Sequence, residues 1–152
     1  MRKILQLILL LAAFCCAGAS YGADHGSAQE AVAMVQKVVA HIKANGKEKT
    51  IAEINALSDK FRDRDLYVTI LDMNGLELAH GTNKKMQGKN LIDLKDADGK
   101  FQIRERLEIA KAKGKGWQDY KFTNPVTIKI EPKSTYFEKY EDMVISCGIY
   151  KG

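Results

Sequence analysis

The chain has 152 residues, 45% of them hydrophobic, with 24 Lys and Arg against 19 Asp and Glu and a formal net charge of +5. That is the size of one compact domain. A charged fraction of 28% with only two prolines excludes a collagen-like, low-complexity or disordered chain.

Residues 1–23 read as a secretory signal: Arg2 and Lys3, then the uncharged, almost wholly apolar run Ile4 to Phe14, then Ala17-Gly18-Ala19. The run is 11 residues long, too short to span a bilayer core of about 30 Å as a helix. Cleavage is expected after Ala19, or after Ala23. Neither Cys15 nor Cys16 follows the Leu or Val and small residues that lipid attachment needs. Removing the signal lowers the net charge from +5 to +3 and the cysteines from three to one, Cys147. The remaining lysines are dispersed, so no nucleic-acid partner is expected. A lone cysteine forms no internal disulfide, and Cys147 reads as a small buried hydrophobe.

The mature chain opens with a helix over Ala31 to Ile42, where Ala31, Met34, Val35, Val38, Val39 and Ile42 form one stripe. Asn45-Gly46 supplies its C-terminal turn. A second short helix is expected with Thr50 as its cap and Glu53 completing a capping box, turning Ile51, Ile54, Leu57 and Phe61 inward. Leu66 to Met73 reads as a strand, Asn74-Gly75 as a hairpin turn and Leu76 to His80 as the return strand. A polar loop follows from Gly81 to Gly99. Phe101 to Lys113 reads as a helix stopped by Gly114 and Gly116. Three strands close the chain: Trp117 to Thr123, Ile128 to Tyr140 interrupted by Pro132, and Met143 to Tyr150, with turns at Asn124-Pro125 and Glu141-Asp142.

Hairpin-length links require antiparallel pairing, and the central loop and helix must cross over the sheet. The expected fold is α+β and PAS-like: a five-stranded antiparallel sheet with a long N-terminal helix on one face and a crossover loop plus helix on the other. Ligands in such a shape sit between sheet and crossover.

Several motifs in one order resemble the single-Cache type-2 family of extracytoplasmic sensor domains. They run from Asp65-Leu66-Tyr67-Val68 to Asn74-Gly75, through Leu78-Ala79-His80-Gly81, Gly88-Lys89-Asn90-Leu91, Asp93-Leu94-Lys95-Asp96 and Gly99. Trp117-Gln118-Asp119-Tyr120, Asn124-Pro125, Pro132-Lys133-Ser134, Tyr136 and Gly148-Ile149-Tyr150 continue them. The likeness covers about 125 residues from Ala28 onward, so a single Cache domain is expected over 24–152. It implies a small-molecule-sensing module, most often the outer part of a chemoreceptor or histidine kinase, with small organic acids among the commoner ligands. With no second membrane helix and no cytoplasmic region in sight, the expectation is a free-standing protein, periplasmic or secreted. It would present its ligand to a membrane receptor or kinase.

The candidate ligand-binding residues are Tyr67, His80, Trp117, Tyr120, Lys133 and Tyr136. A small carboxylate needs a cation, a few donors and an apolar wall, which Lys133 with the tyrosine hydroxyls would supply. Lys133 and Tyr136 are three apart on one strand, so they share a face only if Pro132 introduces a bulge. Each candidate also has a plain structural reading: Trp117 as core, His80 as a hydrogen-bonded histidine, Lys133 as a solvated strand lysine.

Other chemistries lack their residues. A calcium loop through Asp96, Asp98, Gly99 and Glu105 would begin at Leu94, with Lys95 and Lys100 opposing the cation. A haem needs Cys-x-x-Cys-His, His25, His41 and His80 are too scattered for zinc, and no nucleophile motif or phosphate loop is recognisable. No cofactor, metal or enzymatic activity is expected. The alternative to a ligand-binding module is an interaction domain that fills its own pocket and forms a homodimer through the Ala31 to Ile42 stripe.

Overall fold

The computed structural model describes residues 25–151. The expected leader, with Cys15 and Cys16, lies outside them.

Helix α1 (Ala28–Asn45) starts one turn earlier than the stripe requires, because Ser27 and Glu30 form a reciprocal capping box. The Ser27 Oγ accepts from Glu30 N at 3.3 Å while Ser27 N donates to Glu30 Oε2 at 2.7 Å. Gly46, at φ 90°, ends α1 and immediately begins α2 (Lys47–Asn55). A single residue therefore turns the chain, and Thr50 falls inside α2 rather than capping it. Its hydroxyl donates back to Gly46 O at 2.8 Å, so its oxygen accepts from His41 Nδ1 at 2.9 Å. Glu53 pairs with Lys60 at 2.9 Å instead of closing a capping box.

A 3-10 turn (Asp59–Phe61) leads to the two-residue β1 (Arg62–Asp63) and then β2 (Leu66–Asp72) and β3 (Glu77–His80). Four residues, Met73, Asn74, Gly75 and Leu76, link β2 to β3, and Asp72 N donates to Leu76 O at 2.9 Å across the turn. Gly75 takes φ 88°. The crossover runs over 81–101 into α3 (Gln102–Lys113), which Gly114 ends at φ 78°. Then come β4 (Lys115–Thr123), β5 (Ile130–Tyr140) and β6 (Met143–Tyr150).

All five expected strands are present, with β1 as a short addition to β2. The sheet is antiparallel in the order β1-β2-β6-β5-β4, and β3 also pairs with β2. Helix α1 packs on one face and α3 with the crossover on the other. Each face has its own core. Ala31, Val35, Val38 and Ile42 of α1 are buried against Leu66, Val68, Ile70, Met143 and Ile145. Opposite them, Ile103, Leu107 and Ala110 of α3 bury Leu71, Phe137 and Val144. Ala31, Val35, Val38 and Ile42 of the α1 stripe are thus spent inside the fold, with Met34 and Val39 partly buried against it.

Candidate functional site

Alternation decides which side chains meet. In β5, Lys133, Thr135 and Phe137 face α3, while Ser134 and Tyr136 face α1. The β4–β5 register runs unbroken from Lys115↔Glu138 to Thr123↔Ile130, with Pro132 opposite Lys121, so the proline adds no bulge. Tyr136 accordingly joins the α1 core and pairs with Trp117 across the ladder, ring centroids 5.4 Å apart. Trp117 lies on this face too, 40% exposed, against a shallow apolar depression along α1.

The bulge is in β3. Ile70 pairs with Ala79 but Leu71 pairs with Glu77, leaving Leu78 as the extra residue. That insertion turns Glu77 and His80, three apart, to the same side. Together with Tyr67, Tyr120 and Lys133 they line a cavity of about 30 Å³ between the sheet and the crossover. Gln102, Ile103 and Arg106 of α3, Ser146 and Gly148 of β6, and the apolar Met86, Leu91 and Leu94 of the loop complete its wall. Four of the six sequence candidates thus converge, and Trp117 and Tyr136 lie on the other face.

Lys133 is 3% exposed, yet its side chain's only hydrogen bond is to a neutral group: Nζ donates to the Tyr67 hydroxyl at 2.7 Å. The ammonium lies 4.0 Å from the Tyr67 ring centroid, 4.7 Å from Tyr150 and 5.7 Å from Phe122, an aromatic surround that replaces water by cation–π attraction. Burial holds its amine below the ordinary lysine value. The Tyr150 hydroxyl donates to Thr123 O at 2.7 Å, so Tyr67 donates to Tyr150 at 3.2 Å, and the chain of donors runs outward from the lysine. The stem of Lys133 crosses Gly148, where a Cβ would stand 2.4 Å from its Cε.

Arg106 is equally buried. Its Nε donates to Gln118 Oε1 at 3.2 Å, and its guanidinium lies 5.3 Å from the Tyr120 ring centroid. Burial alone would raise the Tyr120 hydroxyl, but Lys133 and Arg106 outweigh it and the net shift is downward. Glu77 is the cavity's one acidic side chain, and burial pushes its carboxyl up to about 8, against the pull of Arg106 and Lys133. At neutral pH it is protonated, and no ionised carboxylate is bonded to Lys133 or Arg106.

His80 is locked neutral by geometry. Its Nδ1 accepts from the backbone N–H groups of Thr82 at 3.3 Å and Asn83 at 3.1 Å, so the ring proton is on Nε2. Burial, then Lys133, depresses it to about 3. The ring stacks on Tyr67 at 5.1 Å.

Among the described residues, four buried side-chain atoms have no hydrogen-bond partner: Glu77 Oε1, Gln102 Oε1, Arg106 Nη2 and Ser146 Oγ. All four belong to residues that line this cavity. None of these residues was a sequence candidate. Glu77 and Ser146 look like ordinary strand polars, and Gln102 and Arg106 look like ordinary polars on a charged helix. Only the spacing of Gln102 and Arg106, on the same face as Ile103 and Ala110, marks them as inward.

Relatives of the chain are sensor domains. It is 32% identical over 89 residues to the sensor histidine kinase MctS of Rhizobium johnstonii, a match covering 57% of this chain and 19% of the kinase. A solved methyl-accepting chemotaxis protein from Vibrio parahaemolyticus superimposes with a TM-score of 0.69 at 27% identity, covering 80% of this chain and 86% of that one. A Cache chemosensory domain solved for its carboxylic acid recognition shares the fold, with a TM-score of 0.64 at 22% identity over 82% of this chain and 88% of its own. The family model for single Cache domain 2 matches residues 25–152, and the chain belongs to that family of sensory domains.

Proposed function

We propose that the protein is an extracytoplasmic sensor module that binds a small carboxylate in the cavity between sheet and crossover and reports it to a membrane receptor or kinase. The observation that carries this reading is the convergence of every orphaned buried side-chain polar atom among the described residues on one cavity that already holds Lys133 and Arg106. A buried polar group without a partner costs about 1–3 kcal/mol, and a set of them in one place marks a site completed by a ligand. A carboxylate accepts from Arg106 Nη2, Lys133 Nζ, the His80 Nε2–H and the Ser146 hydroxyl, and balances the surplus cationic charge. Tyr67, His80, Tyr120 and Lys133 are the ligand contacts expected from sequence that this arrangement retains. The carboxylic acid recognition of the related Cache domain supports the same class. Residues 1–23 would direct export, in keeping with the sensory setting of the relatives.

The small volume is the one feature that favours a pocket filled by the protein's own side chains; the orphaned atoms count against it. Thermal unfolding with a panel of two- to four-carbon carboxylates separates the two. At 100 times its dissociation constant, a true ligand stabilises by about 2.7 kcal/mol. Lys133→Met should abolish that shift while raising the melting temperature of the unliganded protein, because a buried cation with no carboxylate partner is replaced by a hydrophobe of similar length. If no carboxylate shifts the wild type, or if the shift survives Lys133→Met, the reading fails.

A further inference from the structure

We infer that the outer edge of β4 pairs with the same edge of a second copy of this chain, antiparallel and centred on Trp117, to give a two-fold symmetric dimer. Residues 115–119 line no part of the cavity, so this pairing does not depend on what fills it.

In the strand order β1-β2-β6-β5-β4, β4 has a neighbour on one side only. The ends of its ladder show which backbone groups face away from β5. Lys139 N donates to Gly114 O, and Asn124 N donates to Lys129 O. The even-numbered positions of this stretch therefore bond to β5, and Lys115, Trp117, Asp119 and Lys121 turn their N–H and C=O groups outward. The crossover covers one end of that row: Lys100 Nζ donates to Asp119 O at 2.9 Å, and Lys121 N donates to Asp96 Oδ2 at 3.2 Å. Among the described residues no strand covers the other end, from Lys115 to Asp119. An open row of this kind is a template for another strand.

The charges on the row select a second copy as that strand. Lys115-Gly116-Trp117-Gln118-Asp119 carries opposite charges two residues to either side of Trp117. Antiparallel pairing about Trp117 sets Lys115 opposite the partner's Asp119 and Asp119 opposite the partner's Lys115, so both favourable pairs form at once. Centring the two-fold on Lys115 or on Asp119 would instead set like charge against like. Both side chains are exposed. The Asp119 carboxylate accepts from Ser134 Oγ at 2.6 Å and Lys151 Nζ at 2.9 Å, which leaves lone pairs for another lysine.

Trp117 supplies the apolar centre. It is 40% exposed and borders the depression lined by Ala28, Val32 and Ala33 of α1. A two-fold axis normal to the sheet puts the α1 helices of both copies on one side of it, so the two depressions and the two indole rings meet along the seam. A large exposed aromatic beside an apolar hollow, rimmed by charges, has the anatomy of an interface centre.

Analytical ultracentrifugation of the full chain at pH 7 over a concentration series tests the pairing. The wild type should show a reversible monomer–dimer equilibrium. Lys115→Asp and Asp119→Lys each set like charges opposite one another twice, and each should weaken self-association about tenfold or more. Mixed in equal amounts, the two variants should form a heterodimer within about threefold of wild-type affinity, because one chain then offers two acids to the other's two lysines. Trp117 is the single tryptophan, so its emission should move to shorter wavelength with association in the wild type and in the mixture. A wild type that stays monomeric up to about 1 mM overturns the inference. So does a dimer that survives either substitution, or a pair of variants that does not associate on mixing. Should Asp119→Lys not fold, the loss or survival of the dimer in Lys115→Asp decides.

Discussion

Glu77 and His80 face the same cavity from one short strand and respond to pH in opposite senses. The Glu77 carboxyl rises from 4.5 to about 8 on folding. Over that range the folded state holds a proton the unfolded state has lost, so rising pH destabilises the fold by up to about 1.4 kcal/mol per unit. His80 falls from 6.5 to about 3, so below 6.5 the unfolded state takes up a proton the folded state refuses, and stability drops as pH falls. Between 4.5 and 6.5 the two slopes oppose each other; from 6.5 to 8 Glu77 acts without His80. Urea unfolding at pH 5.5 and 8.5 isolates the acid. Glu77→Gln should gain about 2 kcal/mol or more over the wild type between those two pH values. An equal loss in both proteins would show that Glu77 is ionised in the folded state.

The element that most shapes the site is β3, four residues with one of them bulged, and it is held from outside the sheet. Asn55, at the end of α2, donates from Nδ2 to Leu78 O at 2.9 Å and accepts from His80 N at 3.1 Å, so a single amide straps the bulge. The crossover pins the other edge, with Glu77 N donating to Lys89 O and Gly88 N to Glu77 O. Asn55→Ala should therefore cost about 1–3 kcal/mol, measured by urea unfolding, and speed hydrogen exchange at the His80 amide more than at Ile145 in the central β6. Equal exchange at both would mean that the strap does not hold the bulge. The elements themselves were legible from periodicity, because the α1 stripe and the strand alternation obey local rules, and Asn74-Gly75 and Gly114 mark real chain reversals. What local pattern missed depended on neighbours. A one-residue link moved Thr50 into a helix, and the bulge fell at Leu78, where no proline or glycine announces it, rather than at Pro132. The site divided along the same line: Tyr67 is a polar-tipped residue in an apolar strand and Lys133 sits in the Pro132-Lys133-Ser134 motif, whereas Glu77, Gln102 and Arg106 acquire meaning only when crossover and sheet close on them.

At the scale of the whole molecule, one sheet carries two unequal cores. The α1 face is a continuous apolar layer with Val35, Val38, Ile54, Phe61 and Met143 fully buried. The α3 face has fewer apolar side chains, and its interior includes Lys133, Arg106, a buried carboxyl and the unpaired atoms. Burial of apolar area gains about 25 cal/mol per Å², while each unmet polar group subtracts. The α3 face is thus the less stable half and should open before the rest unfolds, in the manner of a cooperative sub-global unit. Native-state hydrogen exchange is expected to show amides of Ile103 to Ala110 exchanging through an opening of lower free energy than those of Val35 to Ile42 or Val144 to Cys147. A ligand in the cavity binds only the closed form of this half. It should therefore slow exchange in α3 and the 81–101 crossover by the full factor set by its concentration over its dissociation constant. Exchange in α1 should slow only to the extent that its amides open through global unfolding. Uniform slowing across both faces would show a single cooperative unit. Confinement of the effect to α3 and the crossover would identify that face as the part of the domain whose order reports occupancy, and so as the part a signalling partner has reason to contact.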